Sequence, residues 1–315
     1  MSEKILILGA AGRIGRAAAE AFRDAGWDVA SLARGSSAWR AAPGTRVVEV
    51  DARDAASVVD AASGMDVILH ALNPAYTEWQ TLVRPFAETA IAAARASGAT
   101  LMLPGNVYNY GAGMPELLDE TTPMQPTSRK GALRVEIEQR MREAAADGVR
   151  TIILRAGDFF GGDGGGSWFD RVIMRYATQN RLNYPGPPNV VHAWAYLPDL
   201  AATMVKLAEA RQSFSPYDTF GFPGHAVTGR ELIGTIMKVM GRQMKVGGMP
   251  WWLLRLASPV VPMFRELTEM EYLWTVPHRI SGDKLAAAIG DIPHTPFEAA
   301  IAASLDELGL LKRRL

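Results

Sequence analysis

Lys4-Ile-Leu-Ile-Leu-Gly9-Ala-Ala-Gly12-Arg13-Ile14-Gly15 runs from an apolar strand into three glycines and then into an alanine-rich helix. That order predicts a strand-turn-helix unit cradling the phosphates of a dinucleotide. Gly9 admits the tight turn, Gly12 lets a pyrophosphate approach the backbone, and Gly15 permits close packing of helix on strand. The N–H groups of the first helical turn, around Arg13 and Ile14, point at the phosphates, where the helix dipole favours negative charge.

The choice of dinucleotide is read at the end of the second strand, Trp27-Asp-Val-Ala-Ser-Leu-Ala-Arg34-Gly35. An acid at the tip of that strand holds the two ribose hydroxyls of NAD. Asp28 stands at the strand's beginning instead, and Arg34 occupies the tip. Together with Arg13 in the glycine loop, Arg34 forms a guanidinium pair suited to a ribose 2'-phosphate, which favours NADP over NAD.

Outward from this point, runs with strand and helix character alternate. Val47 to Val50, Val67 to Ala71, Thr100 to Pro104 and Thr151 to Leu154 read as strands, and Ala55 to Ala62, Trp79 to Ser97 and Leu133 to Ala146 as helices. The pattern predicts a doubly wound, Rossmann-type α/β fold with a parallel sheet covered on both faces. Further on, a helix over 169–179, a strand over 190–196, a helix over 199–211, a strand over 218–222 and helices over 228–240, 251–274 and 295–311 are expected. Residues 1–165, with 190–222 contributing, form the dinucleotide-binding part. Residues 166–315 form a smaller, mainly helical substrate lobe interleaved with the sheet. The glycine-rich stretch 161–166 marks a mobile loop beside the pocket.

Composition narrows the function classes. The 315 residues carry 33 basic and 33 acidic side chains, so no net field draws the chain to nucleic acid or anionic lipid. A small-molecule partner is expected, with neither nucleic acid nor membrane. The chain has no cysteine, and the five histidines have no metal-ligand spacing, so no metal is implied. No Gly-x-Ser-x-Gly elbow points to a hydrolase. The apolar run 250–264 contains Arg255 and internal prolines, is too short to span a bilayer, and reads as a buried or lid helix. Without a charged leader or apolar signal segment before the first strand, a cytoplasmic location is expected.

With these pieces placed, the chain resembles the short-chain dehydrogenase/reductase superfamily, in its extended, epimerase/dehydratase-like branch. The resemblance rests on the Gly9-x-x-Gly12-x-x-Gly15 loop, Asp51, Ala71, Tyr110-Gly111, Glu120 with Pro123 and Pro126, Arg155 to Gly161, and His192-Ala-Trp-Ala-Tyr-Leu-Pro-Asp199. It implies that Asp51 hydrogen-bonds the adenine amino group and that Ala71 and its successors line the nicotinamide side. It also implies a homodimer through the helices 79–97 and 133–146.

The family's usual machinery is a Tyr-x-x-x-Lys pair, with a serine or threonine four residues before the Tyr-Gly step. This sequence departs from it. Asn106 stands at the hydroxyl position, Lys130 at the tyrosine position and Arg134 at the lysine position, with Glu138 a turn beyond. Lys130 and Arg134 share one helical face, so a nicotinamide ribose held by Arg134 brings Lys130 into the same cleft. Flanked by Arg129 and Arg134 in a partly dry cleft, a lysine gives up its proton more readily and can serve as an acid. The alternative is a basic helix start explained by an anionic neighbour, such as a phosphate, a substrate carboxylate or Glu120. The hydroxyls of Tyr76, Tyr108 and Tyr110 are further candidate acids. Asp158 reads as a loop cap rather than a substrate contact.

Trp168, Trp194, Trp251, Trp252, Tyr196 and Met249 offer an aromatic wall, and Arg175, Arg181 and His192 offer anion recognition. No diphosphate-binding cluster is legible after residue 165. Three readings follow: an NADP(H)-dependent oxidoreductase acting on a small apolar or aromatic carbonyl-type compound, with Lys130 or a nearby tyrosine as proton donor; a redox-neutral epimerase or isomerase; and a non-catalytic NADP(H) sensor.

Overall fold

Strand β1 (Lys4–Leu8) is buried on both faces, which accounts for its unbroken apolar run: Ile5 and Ile7 enter one core, Leu6 and Leu8 the other. After it come α1 (Arg13–Asp24), β2 (Asp28–Ala33), β3 (Arg46–Glu49), α2 (Ala55–Ala61), β4 (Val67–His70), α3 (Trp79–Ser97) and β5 (Thr100–Gly105). The middle of the chain forms β6 (Leu117–Leu118), α4 (Arg129–Ala146), β7 (Thr151–Arg155), β8 (Asp158–Phe160), β9 (Arg181–Tyr184), β10 (Val191–Tyr196), α5 (Leu197–Glu209) and β11 (Tyr217–Gly221). The remainder carries β12 (His225–Thr228), α6 (Gly229–Met240), β13 (Lys245–Gly248), α7 (Trp251–Ala257), α8 (Pro262–Thr268), β14 (Arg279–Ile280), α9 (Asp283–Ile289) and α10 (Phe297–Glu307). The structure is a computed structural model that describes residues 2–162 and 166–311. Asp163, Gly164 and Gly165, within the expected glycine-rich loop and at the expected domain boundary, lie outside the described residues.

Seven strands form one all-parallel sheet in the order β11-β7-β5-β4-β1-β2-β3. Helices α1 and α5 pack together over one face, while α2, α3 and α4 cover the other. This is the doubly wound α/β fold expected from the alternation. The strand order turns at β1, between β2 and β4, and opens a crevice at the carboxyl ends of these strands.

The rest differs from expectation in detail. Three small sheets, β12-β10-β8, β13-β9 and β14-β6, brace the C-terminal part, so it is less helical than its periodicity predicts. Strands of two to four residues are too short to show a periodic pattern. The helix expected over 169–179 is a π-helical turn at Phe169–Ile173 and a 3-10 turn at Ala177–Gln179. The helix expected over 251–274 breaks into α7, α8 and a 3-10 turn at Glu271–Trp274, because Pro259 cannot continue α7 and Pro262 opens α8. Nor is the 250–264 run wholly buried: Trp251 and Leu254 face inward, whereas Trp252, Leu256 and Val260 are exposed. Among the described residues no helix is long and apolar enough to cross a membrane.

Candidate cofactor and active site

The glycine loop lies at the turn in strand order. Gly9 has φ +85°, and a Cβ there would lie 2.9 Å from the Ala71 carbonyl oxygen, so the loop and the end of β4 close on each other. A Cβ on Gly15 would stand 2.4 Å from the Gly9 oxygen, so only glycine lets α1 start this near β1. Gly12 is the N-cap of α1 and provides no side-chain cap, and the first turn holds no acid. Its leading N–H groups thus remain free for an anion. Ile14 packs against the α1 and α5 core.

At the adenosine end, Arg34 follows β2 at the surface. Asp51 is gripped by Arg53, with Nε 3.0 Å from Oδ1 and Nη2 2.5 Å from Oδ2. These bonds, with the charge of Arg34 as a lesser contribution, hold the Asp51 carboxyl down to about 2. The structure corrects two details here. Arg13 is turned away from Arg34: its Nη2 lies 2.6 Å and its Nε 3.0 Å from the Gly161 oxygen, and its Nη1 pairs with Asp170 at 2.5 Å. Burial lowers the pKa of that guanidinium, and Asp170 offsets part of the effect, so Arg13 ties the glycine loop to the segment after β8. An acid also stands beside the tip of β2, contributed by the neighbouring strand: Glu49 Oε2 lies 2.9 Å from where a Gly35 Cβ would be.

Arg134 lies on α4 with its guanidinium 5.0 Å above the Trp79 ring and its Nε buried without a hydrogen-bond partner. Beside it His70, at the end of β4, is buried with an unpartnered Nδ1; desolvation first, then the Arg134 charge, lowers it to about 3. These orphaned polar atoms, the glycine cradle and the open helix terminus fit a nicotinamide dinucleotide laid across the crevice.

Lys130 is 1% exposed. Its ammonium bonds Glu266 Oε2, lies 2.8 Å from Glu269 Oε2 and 3.2 Å from the Glu266 carbonyl, and sits 5.0 Å from the Tyr76 ring centre. Arg129 reaches the same two carboxylates, with Nη2 2.9 Å from Glu266 Oε1. The anions that explain this basic helix start therefore come from α8 and the residue after it. Glu120 instead accepts from the Gly221 N–H at 2.6 Å. Two carboxylates, rather than flanking cations, set the electrostatics of Lys130. Burial resists ionisation of Glu266, but Lys130 and Arg129 prevail and bring its pKa below the usual value.

The other sequence candidates divide between two places. Asn106 caps the turn after β5 by accepting from the Tyr108 N–H at 3.0 Å. Tyr110 donates to the Asp119 carbonyl at 3.3 Å, under the Arg155 guanidinium at 5.3 Å. Arg155 in turn makes a buried two-point pair with Glu138, at 2.7 and 3.1 Å. Tyr76 and Tyr108 belong to the Lys130 corner: their hydroxyls are 2.9 Å apart, and Trp79 packs against both rings. Desolvation chiefly raises Tyr76 to about 12 and lifts Tyr108 well above its usual value.

Asp158 does not cap a loop. Its Oδ2 lies 2.9 Å from His192 Nε2, and its charge reaches Tyr76, Tyr108, Tyr184 and Tyr272. Trp168 and His192 both pack on Trp274, a residue the sequence reading passed over. Trp252, expected in the aromatic wall, is exposed instead.

The profile of the NAD dependent epimerase/dehydratase family matches residues 5–220. The chain belongs to this family. It is thus part of the extended branch of the short-chain dehydrogenase/reductase superfamily, a family of NAD(P)-dependent enzymes. Among solved structures, a putative epimerase from Burkholderia cenocepacia superposes with a TM-score of 0.77 at 21% identity, covering 97% of each chain. The UDP-glucose 4-epimerase of Thermotoga maritima, solved with UDP-glucose, gives 0.79 at 13% identity over 97% of this chain and 98% of its own. The Brucella ovis UDP-glucose 4-epimerase, in complex with NAD, gives 0.75 at 18% identity over 96% and 97%. At these identities the likeness is one of fold. A 3-diazoavenalumate denitrifying reductase from a Streptomyces species is 29% identical over 174 residues, 50% of this chain and 57% of that protein.

Within this epimerase/dehydratase fold, linear spacing hid two constellations. Asp158 and His192 meet although 34 residues separate them. Asp199, His225 and His294 bring one potential ligand atom each within 4.8 Å of one another, a grouping that histidine spacing did not reveal. Both Asp199 oxygens accept from Thr295 at 2.7 Å, which explains that acid structurally.

Proposed function

We propose that the protein is an NADP(H)-dependent oxidoreductase that reduces a small, apolar or aromatic carbonyl-type compound. One observation carries the substrate side of this reading: apart from Arg134, which the cofactor ribose would take, the cations of the active corner and Arg155 beside it are neutralised from within. Lys130 and Arg129 share Glu266 and Glu269, and Arg155 faces Glu138. Aromatic rings surround them. A nucleotide diphosphate calls for uncommitted cations, whereas an aromatic carbonyl calls for ring surface and a few polar groups. The reductase named among the relatives agrees with this reading, although the match spans little more than half of that relative.

The bound cofactor supplies hydride. The glycine loop and the first turn of α1 would hold its pyrophosphate, Asp51 its adenine, Arg34 its 2'-phosphate, and Arg134 its nicotinamide ribose. The wall formed by Trp79, Tyr76 and Tyr108 excludes water beside that ring. The proton that balances hydride comes from a side chain of this corner. Lys130, closed in by α8, takes part only once Glu266 and Glu269 have moved away.

Titration with NADPH and NADH, followed by cofactor depletion against aldehydes, ketones and enones, tests the reading. Tighter NADPH binding with turnover is expected. Arg34→Asp should weaken NADPH about tenfold, near 1.4 kcal/mol, and leave NADH less affected. Equal loss of both removes the 2'-phosphate argument. Tight binding without turnover shifts the function to a redox-neutral enzyme or a sensor.

A further inference from the structure

His192 has both ring nitrogens engaged in the interior. Nδ1 lies 3.1 Å from the Leu273 carbonyl oxygen and Nε2 2.9 Å from Asp158 Oδ2, while the ring lies on Trp274 at 4.5 Å with 12° between planes. A carbonyl oxygen can only accept, so Nδ1 carries a hydrogen. A neutral imidazole with its hydrogen on Nδ1 presents a lone pair at Nε2. A lone pair facing a carboxylate oxygen at that distance is attractive only with a proton between them. One proton between the two side chains satisfies both contacts, whether it rests on the carboxyl or on the imidazole.

The two partners differ in access. The His192 side chain is 2% exposed, the Asp158 side chain 15%. Asp158 opens β8 directly after β7, at the same carboxyl end of the parallel sheet as the crevice, and its charge reaches Tyr76 and Tyr108. Its titratable surroundings are Tyr76, Tyr108, Tyr184 and Tyr272, and His192 is faced by His278 at 4.6 Å between ring centres. Burial raises all four tyrosines, which makes each a poor acid near neutral pH, and Lys130 is clamped by its glutamates.

We propose that Asp158 is the proton donor of this active site and that His192 is its positioning residue, the pair standing in for the tyrosine that the family's usual motif provides. The proposal rests on the reductase reading. As the substrate's carbonyl carbon accepts hydride from the reduced nicotinamide, its C=O π bond opens and the electron pair moves to oxygen. That oxygen takes the proton from Asp158. An alcohol and the oxidised nicotinamide result, and the pair, now short of one proton, is reloaded from water.

Two readouts test this in the full-length protein. The first needs no turnover: proton NMR of the NADP-bound protein should show a strongly downfield imidazole N–H resonance that is absent from Asp158→Asn and His192→Gln. Its absence from the wild type overturns the proposal. The second is the pH profile of kcat on a carbonyl compound that the wild type reduces. Asp158→Asn should lose at least about a hundredfold in kcat, the order of a general acid's contribution. NADPH affinity should stay within about threefold and the alkaline limb should vanish. His192→Gln should displace that limb while retaining part of the rate. A normal rate and limb in a folded Asp158→Asn protein overturn the proposal and leave the reductase reading intact. A wild type that reduces no carbonyl with NADPH overturns the reductase reading, with the resonance still reporting on the pair.

Discussion

The glycine cradle and the Lys130 corner share one crevice and are built in opposite ways. In the cradle, backbone meets backbone: Gly9, Gly12 and Gly15 make the turn, and Ala71 closes on it from the next strand of the sheet. At the Lys130 corner, side chains meet across 136 and 139 residues of sequence, in an ion cluster that bolts α8 onto the start of α4. The difference shows where each region is vulnerable. Backbone close approach fails when a Cβ is added, whereas a buried charge cluster fails when one charge is removed, because two carboxylates then stay largely desolvated with only the half-exposed Arg129 to balance them.

Lys130→Ala probes the charged side of this contrast and carries the largest expected effect. It leaves Glu266 and Glu269 without their buried ammonium and should cost about 3–5 kcal/mol in urea unfolding. Adding Glu266→Gln should recover much of that loss. NADPH affinity should stay within about threefold, below about 0.7 kcal/mol, because the cradle is independent of the clamp. A stability loss typical of a surface lysine would break the comparison.

Gly15→Ala probes the backbone side. With its Cβ 2.4 Å from the Gly9 oxygen, the variant must push α1 off β1. Overpacking of this kind costs about 1–3 kcal/mol, and NADPH binding should weaken with it while the Lys130 cluster stays intact. Unchanged NADPH affinity by fluorescence titration would show that the loop does not hold the phosphates.

The effect that is smallest near neutral pH separates the regions as the solution is acidified. His70, between them, is depressed to about 3 in the folded protein, whereas the unfolded chain takes up a proton near 6.5. Stability from this group is full above pH 6.5 and declines as pH falls toward 3, by up to about 1.4 kcal/mol per unit. Glu266 is depressed from 4.5, so its contribution is present above that pH and is lost only at more acid pH. Thermal unfolding across pH 7 to 3 should therefore lose stability in two stages, and His70→Asn should make the first shallower without removing it, because burial depresses His225 and His278 over the same window.

What was legible followed the range of the interaction. The i, i+4 spacing of Lys130, Arg134 and Glu138 correctly placed them along α4, which Ser128 starts by accepting from the Gly131 N–H at 3.0 Å. Nothing local to Lys130 announced Glu266 and Glu269, and Glu120 was the nearer acid in sequence. Arg13 read as Arg34's companion on a 2'-phosphate because Gly161 and Asp170 lie 148 and 157 residues away. Asp158 and His192 sit on strands in register, a relation that exists only once β8 and β10 pair.

By itself, the sequence determined the sheet, its two covered faces, the glycine turn and the absence of the tyrosine. Each of these depends on steric and periodic rules that act over a few residues. Only the tertiary structure decided which charges face each other: that Lys130 is clamped, that Arg13 is occupied, and that Asp158 faces His192. Pairing of buried charge depends on the distance and dielectric between groups remote in sequence, and these are fixed only when the chain has folded.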